Sequence, residues 1–316
     1  MEAAKEKAQK AFSAVDPSSR QGQGQEEQQQ QQQQQQGKAS SGLERDLEPK
    51  PTKVHLEQEA YVPSGKLKGK KALVTGGDSG IGRSVAILFA MEGADVAIVY
   101  LPTEEADAQH TRDQVEKNGG RAELIASDLS SAANCKNVAE RVNTALGGID
   151  ILVNNAATRE EHQDITAIPD EQWANTFRTN VDSYFYLTKY SLPFMRAGAS
   201  IINSASVDSY IGVPTRLDYA TSKGAVVAFT RALSNELVKK SIRVNAVAAG
   251  PVWTPMMATA VGAEGQKGHG LGNKTPMGRH GEPVEIATSY VFLASKDSSF
   301  FSGQTLHPNG GIIVHG

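Results

Sequence analysis

Seven short β-rich apolar runs, spaced by helical patterns, constrain the fold of this chain more than any other feature. In order they are KALVTGG, DVAIVYL, AELIASD, IDILVNNAA, ASIINSAS, IRVNAVAAG and, near the C-terminus, GQTLHPNGG. Most are near-continuous in hydrophobicity, without the polar alternation of a half-exposed strand, so the strands they form are covered on both faces. Helical periodicity fills the intervals at 81–92, 104–118, 134–146, 171–197, 218–240 and 283–295. Strands that alternate with helices pair in parallel through right-handed crossovers. Residues 69–316 are therefore expected to form a single α/β domain, a doubly wound parallel sheet of about seven strands. Ligands of such sheets bind at the carboxyl ends of the strands.

Residues 1–50 read differently. They hold a glutamine run from Gln28 to Gln36 flanked by Gly, Ser, Lys and Glu, with little to bury, and are expected to be a disordered linker expansion. The opening MEAAKEKAQKAF reads at most as a short fraying helix. Residues 51–68 form a polar lead-in expected to run along the domain surface. A formal net charge of −3 lacks the basic footprint of a nucleic-acid binder. No apolar run reaches the ~18 residues that span a bilayer, so no membrane partner is expected. Cys135, the only cysteine, allows no intramolecular disulfide, which fits a reducing compartment. Its helical setting, AANCKNVAERV, suits a packed, inert thiol. The N-terminus has no apolar signal core and carries Glu2 and Glu6, and IIVHG at the other end matches no retention tag, so a cytoplasmic location is expected.

Two local patterns carry chemistry. The first strand runs into Thr75-Gly76-Gly77-Asp78-Ser79-Gly80-Ile81-Gly82, and a helix follows. Glycines at 76, 80 and 82 remove the Cβ atoms that would hold a pyrophosphate off the backbone, and the helix N-terminus offers N–H groups and a positive dipole end. The spacing G-x-x-x-G-x-G is not the commonest dinucleotide fingerprint, but its place after the first strand of a Rossmann-type series points to a nucleotide cofactor. The second pattern is LDYATSKGAVVAF, positions 217–229. Tyr219 and Lys223 are one helical turn apart on one face, amid small residues. A core helix has no use for that lysine, whereas a cation beside a phenol favours the phenolate.

With both motifs located, residues 69–316 resemble the short-chain dehydrogenase/reductase family. Thr75–Gly82 matches its T-G-x-x-x-G-x-G, Tyr219–Lys223 its Y-x-x-x-K, and Asn154-Asn155-Ala156-Ala157 its N-N-A-G except at the last position. TGGDSGIGR, AGPVWTP, EIATSYVFLAS and HPNGG are similar to the branch of glucose/ribitol dehydrogenase homologues and general-stress oxidoreductases. The resemblance implies a catalytic set. Tyr219 would exchange the proton, Lys223 would tune it and hold the nicotinamide ribose, Ser206 would polarise the substrate, and Asn180 would complete a proton relay. Read alone, Ser206 caps a turn and Asn180 bonds a neighbouring backbone group equally well. For the cofactor, the resemblance implies contacts from Gly76, Asp78, Ser79, Gly80, Ile81, Gly82, Tyr100, Asp128, Asn154, Asn155, Ala156, Gly250, Val252 and Thr254, with Tyr219 and Lys223; Asn154 would also brace the sheet. Ala249 stands where the family has proline, with Pro251 one step later.

An enzyme preferring NAD places a carboxylate at the end of the second strand, which repels a 2′-phosphate. Here Tyr100 takes that position, no arginine follows at Leu101, and Arg83 lies near, facing either the phosphate or solvent. The balance points to NADP(H), with NAD(H) the other possibility. Substrate groups should come from Thr158–Ile168, Val207–Leu217 and the glycine-rich segment Thr254–Gly281, which has the length of a mobile lid. Arg159, His162, Asp208, Arg216 and Trp253 are the candidates, although Trp253 suits packing at least as well as stacking on a sugar ring, and no histidine pair has metal-ligand spacing. The expected activity is hydride transfer between nicotinamide and a carbonyl or alcohol: aldehyde, ketone, sugar or polyol. The alternative is a redox-sensing protein that binds the cofactor with weak turnover. By resemblance the helices at 171–197 and 218–240, more apolar than one sheet face requires, would assemble a homotetramer.

Overall fold

The computed structural model describes residues 43–57, 59–260 and 275–314. The glutamine run, and positions 261–274 of the expected lid, lie outside these residues. Seven strands form one sheet: β1 (Lys71–Thr75), β2 (Asp95–Tyr100), β3 (Ala122–Ala126), β4 (Ile151–Asn154), β5 (Ser200–Ser206), β6 (Arg243–Ala249) and β7 (Thr305–Leu306). Every pairing is parallel and the order is β3-β2-β1-β4-β5-β6-β7, a doubly wound sheet that reverses direction between β1 and β4.

The period-2 logic of the strands decides which helix covers which face. Ala72, Val74, Val96 and Ile98 turn to one side, where they meet α1 (Gly80–Met91), α2 (Glu105–Lys117) and α7 (Pro283–Ala294) through Leu88, Phe89, Val115 and Ile286. Leu73, Ala97, Val99 and Leu152 turn to the other. There they meet Val138 and Val142 of α3 (Ala132–Leu146), Leu187 of α5 (Ser183–Ser191) and Leu233 of α6 (Leu217–Leu237). Each buried Val, Leu, Ile or Phe side chain among them contributes roughly 1.5–3 kcal/mol.

The helix expected over 171–197 is not continuous. It comprises α4 (Asp170–Phe177), a π-helical turn at Arg178–Asp182, α5 and a 3₁₀ turn at Leu192–Phe194. The inserted residue of a π turn re-aims the side chains around it and often marks a functional site. Asn180 sits at its centre.

The segment before the domain is more ordered than its composition suggests. Residues 43–50 fall within the stretch read as disordered, yet Glu44 and Leu47 are buried. Thr52 N–H donates to Glu282 Oε2 at 2.7 Å, and Ser84 Oγ donates to the Lys53 carbonyl at 2.9 Å. The reason is charge. Glu44 accepts from Gly80 N–H at 2.5 Å, pairs with Lys53 at 2.8 Å and pairs closely with Arg83. A few specific polar contacts thus anchor a segment that hydrophobicity alone would leave unattached.

Candidate active site

The turn between β1 and α1 is built around its glycines. Gly76 has φ +58° and packs so closely under the β4 loop that a Cβ there would lie 3.2 Å from Ala156 Cα. A Cβ on Gly82 would lie 1.9 Å from the Gly76 carbonyl oxygen, so the helix can start this close to the strand only with glycine. The Asn155 amide donates to the Thr75 and Gly76 carbonyls at 3.0 and 3.2 Å, and Ala156 N–H donates to Thr75 Oγ1 at 2.9 Å. Asn154 points elsewhere: its amide donates to Asn203 and Thr188 inside the sheet, so it braces β4 against β5 and α5 and does not line a ribose. Across the cleft, Thr254 approaches Gly80, with its Cγ2 3.1 Å from where a Cβ would stand. Ser79 is the N-cap residue of α1, and Ile81 is half-buried in its first turn. Gly250 rests against Asn309, Val252 bridges to Gly281, and Asp128, in the exposed loop after β3, accepts from Ser130 N–H at 2.9 Å.

Three expectations at the adenosine end change. Arg83 neither faces solvent nor is free for a phosphate: it is buried between Glu44 and Asp107, its Nε donating to the Asp78 carbonyl at 2.7 Å. Tyr100 is also buried, and its hydroxyl donates to Glu105 Oε2 at 2.6 Å, with burial pushing the phenol up to about 12. Carboxylates are present there after all, displaced into the following turn. Burial first, and then repulsion from Glu104, push the Asp78 carboxyl up to about 7.

The catalytic candidates converge where β5, α6 and the π turn meet. Tyr219, Ser206, Lys223 and Asn180 are all buried. Burial raises the Tyr219 phenol above its ordinary range; the Arg159 guanidinium opposes this most strongly, and the Ser206 hydroxyl adds to that opposition. Lys223 Nζ lies 5.7 Å from the centre of the Tyr219 ring, but its hydrogen bonds go to the Ser204 carbonyl at 2.8 Å and the Tyr184 hydroxyl at 3.2 Å. Burial pulls this ammonium down to about 7. The Asn180 amide exchanges hydrogen bonds with the Thr158 backbone at 2.8 and 2.9 Å and donates to Ser222 Oγ at 3.0 Å. That fixes the loop after β4 to α6. Ser206 Oγ accepts from Asp208 N–H at 3.1 Å, the turn-capping bond that its residue type allows.

Of the substrate candidates, Arg159 stands over the Tyr219 ring, 5.9 Å from its centre. Asp208 pairs with Arg216 at 2.8 Å, and His162 is tied through its backbone to Thr215. Trp253 leaves the set. It is fully buried against Leu47 and Ala258, and its indole donates to the Pro49 carbonyl at 2.7 Å. Sequence reading missed Tyr184 and Ser204, which hold Lys223, and Tyr290, which shares a 2.6 Å hydrogen bond with Ser204. It missed Glu44 too. A tyrosine four residues after Asn180 was the only available signal for the first, and no motif marks Glu44.

Comparison with known proteins agrees with this geometry. The family model described as enoyl-(acyl carrier protein) reductase matches residues 76–313. A carrot protein named glucose and ribitol dehydrogenase is 47% identical over 88% of this chain and 96% of its own length. The Arabidopsis thaliana NADPH-dependent aldehyde reductase 1 is likewise 47% identical, over 88% of this chain and 96% of its own. A crystal structure of a short-chain dehydrogenase from Burkholderia cenocepacia in complex with NADP superposes with a TM-score of 0.72 at 29% identity, covering 78% of this chain and 98% of that one. A doubly wound parallel sheet, a glycine turn closed by Asn155 and a buried Tyr219–Lys223 pair, joined to these likenesses, make the chain a member of the short-chain dehydrogenase/reductase family, an NAD(P)-dependent oxidoreductase acting on CH–OH groups.

Proposed function

We propose that the protein is an NADP(H)-dependent reductase of aldehydes, ketones or sugar carbonyls, with Tyr219, Ser206, Lys223 and Asn180 as its catalytic set. The observation that supports this best is the convergence of Tyr219, Ser206 and Lys223 in one dry site at the ends of β5 and α6. The residues present also fit the cofactor. Gly76 and Gly82 let the turn pack tightly enough for α1 to start against β1, Thr254 stands over Gly80, and this brings the N-terminus of α1 to the cleft where a pyrophosphate would bind. Asp78, Ser79, Ile81, Tyr100, Asp128 and Ala156 would hold the adenosine half; Asn155, Gly250, Val252 and Thr254 would hold the rest. When bound, the nicotinamide supplies or accepts the hydride.

The chain's own residues would handle the proton and the carbonyl. Burial keeps Tyr219 protonated at neutral pH, so it can give its proton to the carbonyl oxygen as the carbon is reduced. Ser206 would donate a hydrogen bond to that oxygen. Lys223, seated on Ser204 and Tyr184, would meet the nicotinamide ribose. Asn180 holds the Thr158 loop that forms the pocket wall.

The NADP(H) reading rests on Tyr100 replacing the usual acid, together with the named NADPH-dependent relative and NADP-bound neighbour. A specific observation favours NAD(H): the Asp78 and Glu104 carboxyls stand close enough to repel each other. A stacked Trp173–Phe177 pair and exposed Phe185 on α4 and α5 support the homotetramer, which light scattering tests. The buried Cys135 fits the cytoplasm. The deciding experiment measures NADPH and NADH consumption with a panel of aldehydes, diketones and aldoses, beside Tyr219→Phe. The reading predicts a preference for NADPH, and a variant that binds cofactor but turns over 10²–10⁴-fold more slowly. Cofactor binding without turnover by the wild type would instead indicate a redox-sensing protein.

A further inference from the structure

Arg159 lies over the Tyr219 ring and, among the described residues, has no carboxylate in direct contact; Glu161 and Asp208 act on it only at longer range. Its neighbours account for their own charges. Arg216 pairs with Asp208 at 2.8 Å and with Glu161 at 3.4 Å. Lys223 is spent on Ser204 and Tyr184. Arg159 itself donates only to neutral groups, the Met256 carbonyl at 3.1 Å and the Met257 sulfur at 3.6 Å. Among the described residues no carboxylate comes within 4.0 Å of its guanidinium. Partial burial of a guanidinium costs free energy, and in proteins such groups are normally paired. Holding the Met256 carbonyl would take one N–H of five.

The location adds the second observation. Arg159 lies in the loop after β4, tied by Thr158 to Asn180, and stands 5.9 Å from the centre of the Tyr219 ring. The guanidinium thus stands beside the ring whose hydroxyl is the proposed proton donor. Guanidinium is suited to planar, bidentate recognition of carboxylate or phosphate. We propose that Arg159 is the specificity determinant of this pocket and that the substrate is an anionic carbonyl compound, carrying a carboxylate or phosphate a short chain away from the reacting carbon. The proposal rests on the oxidoreductase reading above and names the substrate class for that same site.

Matched pairs of probes test it with the full-length protein: succinic semialdehyde against butanal, and glyceraldehyde 3-phosphate against glyceraldehyde. The readout is the ratio of kcat/KM within each pair. For the wild type we expect the anionic member to be favoured 10- to 100-fold in at least one pair, the range of one charge-assisted hydrogen-bonded contact. Which pair shows it separates carboxylate from phosphate. Arg159→Gln should bring that ratio close to one, mainly through KM, while Arg159→Lys retains much of it. Equal kcat/KM for charged and neutral members in the wild type overturns the proposal but leaves the reductase reading intact. So does an Arg159→Gln variant that slows both members of a pair equally, which is what a purely structural arginine would do. Absence of turnover with every probe, cofactor bound, overturns both readings together.

Discussion

Glu44 offers the sharpest test of how the lead-in and the cofactor turn depend on each other. Its carboxylate caps the first N–H of α1 at Gly80, pairs with Lys53 at 2.8 Å and pairs with the Arg83 guanidinium, whose Nε holds the Asp78 carbonyl of the turn. Glu44→Gln keeps the shape and removes the charge. Breaking a buried pair by removing one partner costs about 3–5 kcal/mol, and an N-cap about 1. Two features reduce that sum here. Arg83 keeps Asp107 at 3.0 Å, and Lys53, whose side chain is 16% exposed, can turn toward water. The net loss should be about 2–3 kcal/mol, read as a lower urea midpoint at fixed protein concentration. Burial lowers the Lys53 pKa and Glu44 raises it, so Glu44→Gln leaves an uncompensated ammonium. Lys53→Met on that background should therefore recover part of the loss. Because the pair is buried, adding salt should change the result little. A loss below about 0.5 kcal/mol would refute the reasoning and return residues 43–53 to the status of a passive surface strand.

Other predictions follow from single contacts. Gly82→Ala forces a Cβ to 1.9 Å from the Gly76 oxygen, so the turn must open; NADPH affinity by fluorescence titration should fall at least tenfold, and unchanged binding would disprove the close approach. Lys223 titrates at about 7 in the folded protein against an ordinary 10.5. Between those values the unfolded chain binds a proton that the folded one does not, so wild-type stability rises with pH, and the burial cost is greatest below pH 7. Lys223→Met should accordingly gain on the wild type by up to about 1.4 kcal/mol per pH unit as pH falls from 10 to 7, then level off. The lost hydrogen bonds to Ser204 and Tyr184 subtract about 1 kcal/mol each at every pH. Parallel stability curves for the two proteins over this window would contradict the assignment.

Elements whose cause is local were legible in the sequence. The central strands declare themselves by continuous hydrophobicity, and Tyr219 with Lys223 by helical spacing. Gly82 was legible as a position that excludes a Cβ, although the expected reason was a pyrophosphate and the atom a Cβ would strike is the Gly76 carbonyl oxygen. What escaped depends on partners distant in sequence. Trp253 could be read for packing as readily as for the pocket because its partners, Leu47 and the Pro49 carbonyl, belong to a segment with little hydrophobic signal. Arg83 looked free for the same reason, its carboxylates arriving from Glu44 and Asp107. The break at Arg178–Asp182 was invisible because Asn180 leaves no mark on the apolar periodicity when it turns toward Thr158 and Ser222.

The Tyr219–Lys223 spacing correctly places the lysine one turn away, but proximity along a helix does not settle which cation acts on the phenol. Lys223 is directed at Ser204 and Tyr184, and burial draws its ammonium to about 7, so near neutrality it carries only part of a charge. Arg159 is charged at any accessible pH and faces the ring, and it opposes the effect of burial on Tyr219 more than any other group does. Burial still wins, and the phenol stays above its ordinary range. A tyrosine in that condition is a proton donor at neutral pH before it is a proton acceptor. If Tyr219 is the catalytic acid, as proposed, the free protein would favour carbonyl reduction, and alcohol oxidation would require further positive charge brought to the phenol. An anionic substrate at Arg159 would deepen the bias: by neutralising the guanidinium it removes the main influence favouring the phenolate, and holds the proton on Tyr219 until the carbonyl oxygen takes it.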